Sequence, residues 1–177
     1  MSDQPRNRRI DRILDAAFLE DLQQLSLPDL RARRDECLAE REYLSLLRRL
    51  LQGRAEILRA ELESRTATED RGPLIDRLAT ILSDEDRPAS SRGEMVRITL
   101  PEEELLMARR RVERLANRVD LSDPARLDDA TLAEVIETLG SEEEGISRAR
   151  RDVIAVLDTA QDELKRRYRD DPSLALQ

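Results

Sequence analysis

Residues 27–64 read LPDLRARRDECLAEREYLSLLRRLLQGRAEILRAELES. Within them Leu30, Cys37, Leu44, Leu51 and Leu58 recur every seven residues, and Ala55 and Leu62 follow the last two by four. A seven-residue apolar repeat puts one narrow seam along a helix, and such a seam is stable only when a second helix covers it. The start of the helix is equally marked. Ser26 is placed to cap, Pro28 falls in the first turn where its missing N–H costs nothing, and Asp29 stands at the third helical position. The stretch therefore predicts a helix over 27–64 that needs a partner. Gly53 costs about 1 kcal/mol against alanine in its interior and is read as tolerated rather than as a close approach.

The partner lies near the other end of the chain. A helix over 141–169 places Ile146, Val153, Leu157, Ala160 and Leu164 along one stripe, and Ser141 with Glu144 has capping-box spacing at its start. Gly140 is either the C-cap of the preceding ATLAEVIETLG or a bend in a longer helix. The fold expected is all-α, an antiparallel two-helix coiled-coil hairpin closed by a partly helical insertion over 65–140. That insertion is long enough to allow parallel pairing as well. It contains PLIDRLATIL, EEELLMARRRVERLANRV opened by Thr99, Pro101 and Glu102, and the turn-rich link LSDPARLDD. Ahead of the hairpin, Ile10, Leu14, Phe18 and Leu22 are four apart and predict a short amphipathic helix over 10–24. Phe18 is expected to pack on the hairpin. All of this makes one helical domain.

Composition supports a helical reading and narrows the function. Of 177 residues 40% are charged and 2% aromatic, so the core must come from Leu, Ile, Val and Ala. Lys plus Arg is 31 against Asp plus Glu 39, a net charge of -8, which argues against sequence-independent binding along DNA. Nearly all the basic residues are arginine, Lys165 being the one lysine. A planar guanidinium suits phosphate, carboxylate or a base edge, although a GC-rich genome biases usage the same way. There is no His and Cys37 is the single cysteine, so the usual neutral-pH base and a soft metal site are both missing. Enzymatic activity and a metal centre are not expected. No apolar run is long enough to span a bilayer, and the expectation is a cytoplasmic protein.

Beside the leucine seam, Ser45, Arg48, Gln52 and Glu56 fall within about 80° of one another on the helix. Ser147, Arg150 and Asp158 repeat Ser45, Arg48 and Glu56 at a constant offset of 102, and Arg151 repeats Arg49. The seam follows the same offset, with Leu44, Leu51, Ala55, Leu58 and Leu62 answered by Ile146, Val153, Leu157, Ala160 and Leu164. Two helices thus carry one polar ribbon each, on the same flank. In antiparallel pairing a pseudo-twofold relates the ribbons and suits one two-fold-symmetric ligand, or two copies of a ligand. A carboxylate accepts the paired N–H donors of a guanine edge, and arginine grips O6/N7 or phosphate. Polar residues beside a seam more often form interhelical bonds, and spacing alone favours that structural role.

The stretch YLSLLRRLLQGRAEIL resembles a signature of the actinobacterial anti-sigma factors of the RsiG type, in which E-x3-S-x2-R-x3-Q-x3-D occurs once on each helix. The resemblance continues through LEDLQQLSLPDLRARRDE, LIDRLATILSD, VDLSDPARLDDATL and ISRARRDVIAVLDTAQDELKRRYRD. It implies that cyclic di-GMP binds an antiparallel helical hairpin through Ser45, Arg48, Gln52 and Glu56 of one ribbon and Glu143, Ser147, Arg150 and Asp158 of the other. Three positions depart from the motif: Arg41 stands in place of Glu, Ile154 in place of Gln, and Glu56 in place of Asp.

The implied function is sequestration of a flagellar-type sigma factor of the WhiG class, holding back a differentiation programme such as sporulation. Neither direct DNA binding nor membrane association is implied, and two ribbons in one chain favour a monomer. The competing expectation is a structural coiled-coil adaptor or oligomerisation module whose ribbons serve only to join helices.

Overall fold

The computed structural model describes residues 8–66, 100–115 and 123–176. Among the described residues four α-helices carry the fold: α1 (Arg9–Ile13), α2 (Leu27–Thr66), α3 (Glu102–Leu115) and α4 (Asp129–Asp170). Short 3-10 turns occur at Ala16–Phe18, Pro124–Arg126 and Pro172–Leu176, and no strand is present among the described residues. The chain divides into two compact units, Met1–Ser45 with Ser147–Gln177, and Leu46–Ile146. Both α2 and α4 contribute to each unit.

In the first unit α2 begins as the sequence indicates. Ser26 Oγ accepts the backbone N–H of Asp29 at 3.2 Å and donates to the Asp29 carboxylate. Leu30, Cys37 and Leu44 of α2 are buried, as are Val153, Leu157, Ala160 and Leu164 of α4. The two helices run antiparallel: Arg31 Nε donates to the Tyr168 hydroxyl at 3.0 Å, and Arg150 Nε to Ser45 Oγ at 2.9 Å. Burial pushes the Cys37 thiol up to about 12, with the charge of Glu36 adding to the shift.

The N-terminal segment departs from the expected helix over 10–24. Only Arg9–Ile13 is α-helical, followed by the 3-10 turn. The break has a local cause. Asp15 takes an extended backbone and its carboxylate accepts the N–H of Ala17 at 2.9 Å, competing with helix continuation. Asp21 then turns the chain at φ 55°, a left-handed conformation that Asp tolerates better than most residues. The buried set is therefore Ile13, Phe18 and Leu22, whereas Leu14 is 42% exposed.

Arginines strap this segment down. Arg9 meets the buried Glu40 at 2.6 Å, Arg12 pairs with Glu36, and Arg33 donates to the Phe18 carbonyl while lying 5.3 Å from the Phe18 ring centroid. Arg167 donates to the carbonyls of Leu22, Gln23 and Leu25 and to Glu163. Beneath these bonds Leu22 packs with Leu30, Ala160 and Leu164.

In the second unit Leu47, Leu51, Ala55 and Leu58 of α2, Ala108 and Val112 of α3, and Leu132, Val135, Leu139 and Ile146 of α4 are buried. Antiparallel pairing recurs within this unit, Gln52 meeting Glu143 and Arg65 meeting Asp129. Arg65 also donates to the carbonyls of Pro124, Ala125 and Leu127 and to Glu61, clasping the turn ahead of α4. α3 opens on Glu102, Glu103 and Glu104, the favourable sign for a helix N-terminus, and Arg111 ties it to Glu142 at 2.6 Å.

The expected start of the second long helix at 141 is corrected to Asp129, so residues 129–140 leave the insertion and join α4. Asp128 is the actual cap, its carboxylate accepting the N–H of Thr131 at 2.7 Å. Ser141, Glu144 and Gly140 lie inside the helix, and Gly140 neither caps nor ends it. A Cβ added at Gly53 or Gly145 would meet nothing within 4 Å, so neither glycine marks a close approach. The expected helix PLIDRLATIL, the Thr99 cap and the last residues of LANRV lie outside the described residues.

Candidate functional site

The ribbon residues occupy two chemical settings. Ser45, Ser147, Arg150 and Asp158 belong to the first unit, and Arg48, Gln52, Glu56 and Glu143 to the second. In the first, Ser45 Oγ donates to the carbonyl of Arg41, one turn back along α2, at 2.7 Å and accepts from Arg150 Nε at 2.9 Å. The hydroxyl thus holds one ribbon arginine from the opposite helix. Ser147 and Arg150 are half-buried and Asp158 is exposed. Of the departing positions, Arg41 pairs with Glu42 at 2.7 Å and Ile154 is half-buried.

In the second unit the structure brings Gln52 and Glu143 together, with Nε2 donating to Oε1 at 3.2 Å. The amide already satisfies one oxygen of the acid at Glu143. Arg48 is half-buried and Glu56 exposed. Among the described residues Arg48, Glu56 and Asp158 take part in no ion pair. Each unit by itself thus holds a ribbon guanidinium suited to anions, Arg150 or Arg48, and an exposed carboxylate able to accept from donors, Asp158 or Glu56.

Sequence reasoning named eight ribbon positions but did not give the cross-links Ser45–Arg150 and Gln52–Glu143. Spacing along a helix sets which residues share a face; it does not set the register between helices. The repeat offset does not supply that register either, since the two-fold relation it implies holds at every antiparallel register. Also missed were Arg65 and Arg167, whose bonds go mostly to backbone carbonyls and therefore leave no partner type in the sequence. Among the described residues no helix is long and apolar enough to cross a membrane.

A comparison with curated proteins gives no match. The RsiG-like family is associated in general with anti-sigma factor function. Over residues 16–82, which contain all of α2 and the first ribbon, the chain matches the family model described as RsiG-like, the same family that its motifs resemble.

Proposed function

We propose that the protein is a non-enzymatic anti-sigma factor that binds cyclic di-GMP through its two ribbons and sequesters a flagellar-type sigma factor of the WhiG class. It acts in the cytoplasm as a monomer until it meets sigma, and it represses the transcription programme that sigma directs, including sporulation. The observation that carries this reading is the recurrence of Ser, Arg and acid on α2 and α4 at one offset, in a chain whose residues 16–82 match the RsiG-like family. Glu56, Asp158 and Glu143 accept guanine N–H donors, while Arg48 and Arg150 hold phosphate or guanine O6/N7. Ser45 and Gln52 exchange their present partners, Arg150 and Glu143, for ligand atoms. Loss of one donor on each side is thereby offset within the complex.

Titration of the purified protein with cyclic di-GMP and with GTP at constant salt tests this, repeated with Arg48→Ala and Arg150→Ala. Saturable binding of cyclic di-GMP alone, weakened in both variants, is expected. A second arm adds the sigma factor and measures co-purification with and without nucleotide.

The bonds Ser45–Arg150 and Gln52–Glu143 also suit the adaptor reading, in which the ribbons serve only to join helices. Absence of nucleotide binding both with and without sigma selects that alternative.

A further inference from the structure

The internal repeat makes a comparison that neither ribbon makes alone. In the second unit Gln52 of α2 meets Glu143 of α4, amide against carboxylate at 3.2 Å. At the offset of 102 the counterpart of Gln52 is Ile154, and the residue whose counterpart is Glu143 is Arg41. The first unit places those two in register with each other. Arg150 meets Ser45 there, and one turn back along α2 from Ser45 stands Arg41, while one turn forward along α4 from Arg150 stands Ile154. The two positions at which the ribbons fail to repeat are therefore the two members of a single cross-helix position.

Their chemistry has changed together. An amide and an acid can bond each other; a guanidinium and a sec-butyl side chain cannot, since isoleucine accepts nothing. Arg41 instead takes its own neighbour, Glu42, at 2.7 Å, with the two side chains 31% and 32% exposed. A pair this wet is worth at most about 1 kcal/mol, so a better anion displaces it. One turn further on, the Ser45 hydroxyl holds a second guanidinium, that of Arg150. Two arginines lie within a turn of one hydroxyl, which is a donor set for a phosphate and a poor one for the N–H edge of guanine.

We propose that Arg41 is a specificity-determining residue of the nucleotide site, contacting a backbone phosphate of the bound cyclic purine dinucleotide together with Arg150, where the matching position of the other ribbon presents the acid Glu143. This rests on the nucleotide-binding reading above. Ile154 supports the exchange by leaving Arg41 without a competing acceptor across the helix pair, and Glu42 restrains the guanidinium until ligand arrives.

The test is equilibrium titration of the full chain with cyclic di-GMP at low and high salt, sigma factor present, for wild type, Arg41→Ala, Arg41→Glu and Glu42→Gln. Arg41→Ala is expected to weaken binding about tenfold at low salt, the loss of one charge-assisted contact, and less at high salt. Arg41→Glu weakens it further. Glu42→Gln releases Arg41 and strengthens binding severalfold, a gain that a purely structural Arg41–Glu42 pair would not produce. Wild-type binding that Arg41→Ala leaves unchanged, or that Arg41→Glu tightens, overturns the assignment while leaving the nucleotide reading intact. If wild type binds no nucleotide, the reading itself falls, and this inference with it.

Discussion

Glu163 shows how a carboxylate on a charged surface can be structural. It receives Arg166 and Arg167, and their hydrogen bonds and charges hold its carboxyl down at about 2 against an ordinary value of 4.5. A depressed folded value means that the native state binds fewer protons than the unfolded one, so this stabilisation is complete above about pH 4.5 and drains away as pH falls toward 2. Glu163→Gln removes it. The urea midpoint of the wild type is expected to exceed that of the variant at pH 6, and the gap is expected to close by pH 2; a gap that persists unchanged at pH 2 contradicts the assignment. The same residue scale explains what the sequence withheld about the ribbons. Ser45, Arg48, Gln52 and Glu56 were legible as a face because helical geometry is periodic, but the bond from Arg150 to Ser45 depends on how two distant helices slide past each other. Arg41 and Ile154 were visible as departures, and only the register made them one position.

At the scale of elements, α2 was the most legible part of the chain and α1 the least. Leu30, Cys37, Leu44, Leu51 and Leu58 are all buried, as a seven-residue seam requires, and the Ser26 cap is in place. Ser26→Ala is expected to cost about 1 kcal/mol in chemical denaturation. The N-terminal helix misled because a four-residue spacing over so short a stretch is outweighed by single side-chain bonds such as that from Asp15 to Ala17. At α4 the sequence carried two plausible starts. Ser141 and Glu144 have the spacing of a capping box, yet Leu132, Val135 and Leu139 extend the buried stripe upstream, and burying them favours helix as far back as Asp129, where Asp128 caps it. Gly145 then lies in mid-helix with open space beyond its missing side chain. Gly145→Ala is expected to stabilise by about 1 kcal/mol, measured by urea titration.

For the whole molecule, stability rests on aliphatic seams rather than on aromatic mass. Leu51 is fully buried in the second unit, and Leu51→Ala is expected to lose about 3 kcal/mol through lost transfer energy and the cavity left behind. Ligand linkage supplies a global readout of the proposed function. If cyclic di-GMP binds the native state alone, a concentration near 100 times its Kd raises unfolding free energy by about 2.7 kcal/mol, seen as a higher thermal midpoint that GTP does not reproduce. The all-α class and the hairpin were legible from composition and seams. The division of the chain into two units near Ser45 and Ser147 was not, since the apolar repeat runs through it without interruption.

The protected thiol of Cys37 makes the protein convenient to watch. With that sulfur buried and protonated at neutral pH, maleimide dyes find little to react with on the native surface. A cysteine introduced at an exposed position such as Arg59 or Arg148 becomes the preferred attachment point without first deleting the native one. Fluorophores placed singly in this way would let encounters with nucleotide or sigma be followed in real time, on a background the molecule itself keeps dark.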